Sequence, residues 1–117
     1  MMHYIGLYFS ALWCPPCRMF TPKLAEFYNK LISKGHKFEV VFVSSDSDEE
    51  SFQEYYDKMP WKAIKFSMRD IQETLTKKYE VLGFPTLVIL DKDGNTVTTK
   101  GRASVMNKTG DEDELTW

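Results

Sequence analysis

The segment Trp13-Cys14-Pro15-Pro16-Cys17-Arg18 constrains this chain more than any other. It holds the only two cysteines in 117 residues, separated by two prolines. An apolar run, Ile5 to Phe9, precedes it, and residues at helical spacing follow. Strand, Cys-x-x-Cys and helix, in that order, make a thiol reactive. At the helix N-terminus Cys14 meets unpaired amide N–H groups and the positive end of the helix dipole, and both favour an anion. The thiolate is the nucleophilic form. Cys17 lies one turn in, close enough to close a disulfide with Cys14. Pro15 and Pro16 stiffen the loop by holding φ at about −65°, and they donate no N–H.

Other uses of two cysteines fit less well. A structural zinc site needs about four nitrogen or sulfur ligands. The chain has no second Cys-x-x-Cys, and its two histidines, His3 and His36, are far apart in sequence. A purely structural disulfide across so short a loop restricts the unfolded chain little. Two inert buried cysteines would not require a proline-stiffened turn.

Composition narrows the class further. The length suits one domain, residues 1–117, with a real core. Hydrophobic residues make up 43% and charged residues 27%, as in ordinary globular proteins. A net charge of −2 implies no broad attraction to nucleic acid or to anionic membranes. No apolar run approaches about 18 residues, so no membrane span is expected. Met1-Met2-His3-Tyr4 does not begin a signal peptide, and the closing residues do not match an ER-retention signal. The expected location is the cytoplasm, where paired cysteines favour catalysis over scaffolding.

Periodicity orders the elements. Tyr4 to Ser10 reads as a buried strand. Phe20, Leu24, Phe27, Tyr28, Leu31 and Ile32 follow at helical spacing, with Pro22 expected to kink that helix and Gly35 to end it. Phe38 to Val43 is nearly all apolar, as a strand covered on both faces should be. Ser47-Asp48-Glu49-Glu50 fits a capping box before Phe52, Tyr55, Tyr56 and Met59. The acidic run Asp46 to Glu50 lacks the glycine and distal glutamate of a calcium loop, so capping is its expected role. A third helix is predicted over 70–79, a strand over 87–90, a turn over 91–95 and a partly exposed strand over 96–100. Asp111 to Glu114 reads as a solvated turn or short helix, with Trp117 packing back. The order β-α-β-α-α-β-β predicts an α/β fold with parallel early strands and a final antiparallel hairpin.

These segments together resemble thioredoxin-like proteins, in particular the nucleoredoxin and tryparedoxin branch. The resemblance rests on Tyr8 to Arg18, on Phe20-Thr21-Pro22, on Lys58-Met59-Pro60-Trp61, on Gly83-Phe84-Pro85-Thr86-Leu87 and on Thr98 to Arg102 with a closing Trp. It implies a thioredoxin-like fold, a central mixed β-sheet flanked by helices. It also implies a cis Phe84–Pro85 bond opposite the cysteines. Two departures stand out. Plain thioredoxins carry a buried Asp six residues before the first cysteine, as proton acceptor for the second thiol; here that position is Tyr8. The N-terminal strand or helix that usually precedes the active-site strand is missing or shortened.

The resemblance implies a dithiol–disulfide oxidoreductase. Cys14 is expected to be the exposed nucleophile and Cys17 the buried resolver. Trp13, Pro15, Pro16, Phe84 and Pro85 are the expected substrate-binding residues, with Trp61 either near the rim or simply packed. No cofactor is expected beyond the redox-active Cys14–Cys17 disulfide. Implied partners are disulfide-bearing proteins, among them a peroxiredoxin. The alternative is a redox-regulated binding module controlling a signalling protein or transcription factor, which would extend the location to the nucleus. Without the N-terminal strand, Phe38–Val43 becomes an apolar sheet edge. The chain is then expected to form a homodimer, to borrow cover from its own tail, or to be a shortened form of a longer protein.

Overall fold

Alternation along the first strand decides how the sheet is buried. A computed structural model describes residues 3–108 and 117. The order is β1 (His3–Ser10), α1 (Pro15–Ser33), β2 (Lys37–Ser44), α2 (Glu49–Tyr56), β3 (Lys62–Ala63), α3 (Arg69–Lys78), β4 (Thr86–Asp91), β5 (Thr96–Thr98) and α4 (Gly101–Met106). The strands form one sheet in the order β3-β2-β1-β4-β5. β2 runs parallel to β1 and to β3, whereas β4 runs antiparallel to β1 and to β5. This is the mixed, thioredoxin-like sheet that the element order predicts.

Successive side chains of a strand point to opposite faces. Tyr4 and Tyr8 of β1 therefore join Phe38, Phe42, Leu87 and Ile89 in one core layer, against Phe20, Leu24, Phe27 and Leu31 of α1. Phe52 and Tyr55 of α2 and Val105 of α4 close the same layer. Leu7 and Phe9 face the other way, with Val43, Val88 and Leu90, and Leu75 of α3 packs on them. α1 runs for 19 residues with Pro22 inside it, and Gly35 follows at φ 85°, the left-handed geometry expected after a helix end.

Several boundaries differ from the sequence reading. The cap of α2 is Asp48, whose carboxylate accepts from the Ser51 N–H, and not Ser47. The last strand stops at Thr98, because the Lys100 N–H turns back to the Thr98 hydroxyl at 3.0 Å and leads into α4. β3 and α4 were not expected; two and six residues are too few to show a period. Part of the outer edge of β2 is covered from within the chain. β3 pairs with Val41 and Phe42, and the Ile64 N–H donates to the Phe42 carbonyl at 3.0 Å. Among the described residues, cover thus comes from residues 62–64. Trp117 does pack back, but onto the sheet face, with ring centroids 5.4 Å from Phe38 and 5.6 Å from Tyr4. Asp111 to Glu114 lie outside the described residues.

α4 sits so close to β4 that only a glycine fits its first turn. A Cβ on Gly101 would lie 2.8 Å from the Leu87 carbonyl oxygen and 2.9 Å from Leu87 Cγ. Both obstacles belong to a central strand that cannot yield. Gly101→Ala should lower stability by about 1–3 kcal/mol. Chemical denaturation checks this, and an unchanged midpoint would mean that α4 moves away freely.

Candidate active site

The site forms where β1 ends. The Cys14 N–H closes a turn onto the Ala11 carbonyl at 3.2 Å, and Cys14 caps α1. Pro15 and Pro16 take the first two helical positions, where a missing N–H costs nothing, and both stay exposed. Cys17 follows on the buried side. Both cysteines are reduced.

A second loop comes to meet them. The Phe84–Pro85 bond is cis, as the resemblance implied, and Pro85 is buried. The Cys14 thiol donates to the Phe84 carbonyl, with Sγ 3.7 Å from the oxygen. The Trp13 ring stands edge-on to Phe84 at 5.9 Å, and its indole N–H donates to the Ser45 carbonyl at 3.3 Å. Trp13 is 58% exposed, so the pair forms an apolar wall open to solvent. Cys14, Cys17, Trp13, Pro15, Pro16, Phe84 and Pro85 therefore converge.

One expectation needs correction. Cys14 is not freely exposed; only 5% of its surface is open, because the Phe84–Pro85 loop lies over it. It is still the more accessible thiol, since Cys17 is fully buried. Of the two places open to Trp61, the structure shows the packed one. It is buried, with its ring 6.0 Å from Tyr8 and 5.6 Å from Tyr28.

The structure also adds residues that the sequence reading missed. Asp46 is buried and holds the active-site loop: one carboxylate oxygen accepts from the Leu12 N–H at 2.9 Å, the other from the Ser44 hydroxyl at 2.8 Å. Arg69 reaches the same spot, donating to the Ser44 and Asp46 carbonyls. Behind Cys17 lies a cluster of hydroxyls from Tyr8, Ser10, Thr21 and Tyr55. Only Asp46 had a signal, as the first acid after a strand, and the helix beside it drew that signal toward capping.

Electrostatics separate the two thiols. Burial pushes the Cys17 thiol up to about 11; a hydrogen bond with Cys14 acts the same way, and hydrogen bonds from Ser10 and the Ala11 backbone oppose it. Cys17 is therefore neutral at rest. Burial also raises Tyr8 and Tyr55 above the ordinary tyrosine range, so both remain neutral hydroxyls.

Comparison with known proteins places this geometry. The family model described as Thioredoxin-like matches residues 3–96. The chain belongs to the thioredoxin-like family. It is 47% identical to nucleoredoxin of Danio rerio over 104 residues, covering 89% of this chain and 25% of that protein. It is 48% identical to tryparedoxin of Trypanosoma brucei brucei over 104 residues, covering 87% of this chain and 71% of that one. The solved structure of tryparedoxin I from Leishmania major superposes with a TM-score of 0.83 at 50% identity, covering 89% of this chain and 72% of that chain. The chain thus spans about a quarter of the length of the nucleoredoxin it matches.

Two predictions follow from the unequal thiols. Alkylation of the reduced protein at neutral pH should modify Cys14 first, with Cys17 labelled only as pH climbs toward about 11 or on unfolding; peptide mapping reads the order, and early labelling of Cys17 would reverse the assignment. Stability should also fall with alkali. An unfolded thiol ionises at about 8.5, whereas folded Cys17 holds its proton to about 11. The unfolded state therefore loses its proton first, and stability drains away across that interval. Thermal melts of the reduced protein should show a steeper alkaline decline than those of Cys17→Ala.

Proposed function

We propose that the protein is a thiol–disulfide oxidoreductase that reduces protein disulfides through a Cys14/Cys17 cycle. One observation carries the reading: the more accessible thiol caps a helix beside the cis-proline loop, while its neutral partner waits one turn inside. The nucleoredoxin and tryparedoxin relatives support it, because both are thioredoxin-like.

The steps follow from the positions. The Cys14 thiolate attacks one sulfur of a substrate disulfide. A mixed disulfide forms and the other substrate sulfur leaves as a thiolate. Cys17 then loses its proton and attacks Cys14 Sγ. The Cys14–Cys17 bond forms, the bond to substrate breaks, and the substrate leaves with two added electrons. Ionisation of Cys14 removes its hydrogen bond to the Phe84 carbonyl. That oxygen becomes free to accept an N–H from an extended substrate strand laid along the Trp13–Phe84 wall.

Disulfide-bearing proteins are the substrate class, and a peroxiredoxin is the partner that the tryparedoxin resemblance points to. The regulatory-module alternative has less support, because both thiols are placed for turnover. Insulin reduction driven by dithiothreitol should be accelerated by the protein and lost, to at most about 1% of the rate, in Cys14→Ala. Cys17→Ser should instead accumulate a mixed disulfide on Cys14, which non-reducing electrophoresis detects with insulin or a peroxiredoxin. Full activity in Cys14→Ala would refute the reading.

A further inference from the structure

The wall beside Cys14 is held from behind. Trp13 is 58% exposed, and its indole N–H donates to the Ser45 carbonyl at 3.3 Å. The chain from Ser10 to Trp13 is tied to the end of β2 at two further points. The Ser45 N–H donates to the Ser10 carbonyl at 3.0 Å, and the Leu12 N–H donates to Asp46 Oδ1 at 2.9 Å. Residues 44–46 are themselves locked. The Ser44 hydroxyl donates to Asp46 Oδ2 at 2.8 Å, and the Asp46 N–H donates back to the Ser44 hydroxyl at 3.0 Å. Arg69, the first residue of α3, closes the lock from the other side. Its Nη1 donates to the Ser44 and Asp46 carbonyls at 3.1 and 3.3 Å, and its Nε to the Phe66 carbonyl at 2.7 Å. The guanidinium also lies 4.1 Å from the centre of the Phe66 ring.

Cys14 and Trp13 do not depend on this lock equally. Cys14 is held by the Ala11 carbonyl, by its place at the start of α1 and by the Phe84 carbonyl. The Trp13 ring has the Ser45 carbonyl and the Phe84 ring. Its two polar anchors, the Leu12 N–H behind it and its own indole N–H, end on Asp46 and Ser45. Removal of the Asp46 carboxylate frees the Leu12 N–H and the Ser44 hydroxyl together. The Ser45 carbonyl between them then loses its fixed direction. Trp13 turns away from Phe84, while Cys14 stays at the helix cap.

We propose that Asp46, clamped by Arg69, is a positioning residue that fixes the Trp13 side of the substrate wall and so favours extended polypeptide disulfides over small ones. The proposal rests on the oxidoreductase reading and adds to it the residue that sets substrate preference. A polypeptide disulfide brings an extended strand to lie along the Trp13–Phe84 wall. A small aromatic disulfide needs only the Cys14 sulfur. A well-placed wall therefore helps the first class and is indifferent to the second. The role is one of shape and not of charge. In Asp46→Asn the amide oxygen still accepts from the Leu12 N–H. The amide nitrogen donates to the Ser44 hydroxyl oxygen, which has two lone pairs to offer.

The test compares two disulfides. Reduced protein is mixed with an excess of insulin or of dithiobis(nitrobenzoate), and rapid acid quenching followed by alkylation counts the Cys14 thiol that remains. The readout is the rate constant for insulin divided by that for the small disulfide. Asp46→Ala should lower this ratio roughly tenfold, through the insulin rate, and Asp46→Asn should keep it near the parent's. A variant that merely loses folded protein lowers both rates together and leaves the ratio alone. Arg69→Met keeps an apolar stem over Phe66 and removes every donor of the clamp. It should lower the ratio in the same direction, and it remains informative if Asp46→Ala folds poorly. In a Trp13→Ala background the ratio is already low, and Asp46→Ala should lower it no further. Asp48→Ala, which removes an exposed carboxylate that caps α2, should match the parent. An unchanged ratio in Asp46→Ala and Arg69→Met overturns the proposal. So does an equally low ratio in Asp46→Asn, which would assign the effect to charge, and so does a further fall in the Trp13→Ala background, which would take it away from the wall. A parent protein that reacts with neither disulfide refutes the oxidoreductase reading itself, and the positioning role with it.

Discussion

β1 is hydrogen-bonded to a strand on each side, and each of its faces belongs to a different half of the core. It pairs in parallel with β2 from His3 to Ser10 and antiparallel with β4 from Tyr4 to Phe9. A slip of one residue would send Tyr8 to the α3 side and Phe9 to the α1 side. Everything the site needs depends on that register. It brings the C-terminal end of β1, where Cys14 follows, beside the N-terminal end of β4, where the Phe84–Pro85 loop precedes. Two segments about seventy residues apart in sequence thus meet at 3.7 Å.

The same register builds the layer beneath the thiols. Tyr8 and Ser10 lie two residues apart and so share a face. Thr21 presents its hydroxyl there one turn after Cys17, and Tyr55 reaches across from α2. Burying four hydroxyls without charge is possible because each finds a partner within the cluster. A carboxylate at the Tyr8 position would need to be desolvated under aromatic rings 5.9 Å and 6.0 Å away, those of Phe20 and Trp61. Tyrosine fills that volume and keeps one polar atom. The aromatic packing of the core and the hydroxyl chemistry at the site are therefore one arrangement.

Where sequence reasoning fell short, the cause was a short element or a local signal that two structures could share. The Asp46–Glu50 run contains both a helix cap and a loop anchor. Composition marks all its acids alike, but only Asp46 is turned inward, where the Leu12 N–H and Ser44 hydroxyl await it. β3 has two residues and no periodicity, yet its pairing with Val41 and Phe42 covers part of an edge that the strand pattern alone left open. Cys14 was expected in the open because helix N-termini are exposed in general; the loop that covers it comes from elsewhere in the chain.

The sequence by itself determined the order of the longer elements, the burial of β1, β2 and α1, and the pair of cysteines that carries the chemistry. Each of these rests on near-neighbour physics: periods of two or about 3.6 residues, proline's fixed φ, and the exposed N–H groups of a helix start. Only the tertiary structure decided which carbonyl faces Cys14, which acid holds its loop and which hydroxyls surround Cys17. Those partners lie on different strands and helices. Their meeting depends on strand register and helix packing, which are set by the burial of the whole sheet and leave no mark at any single position.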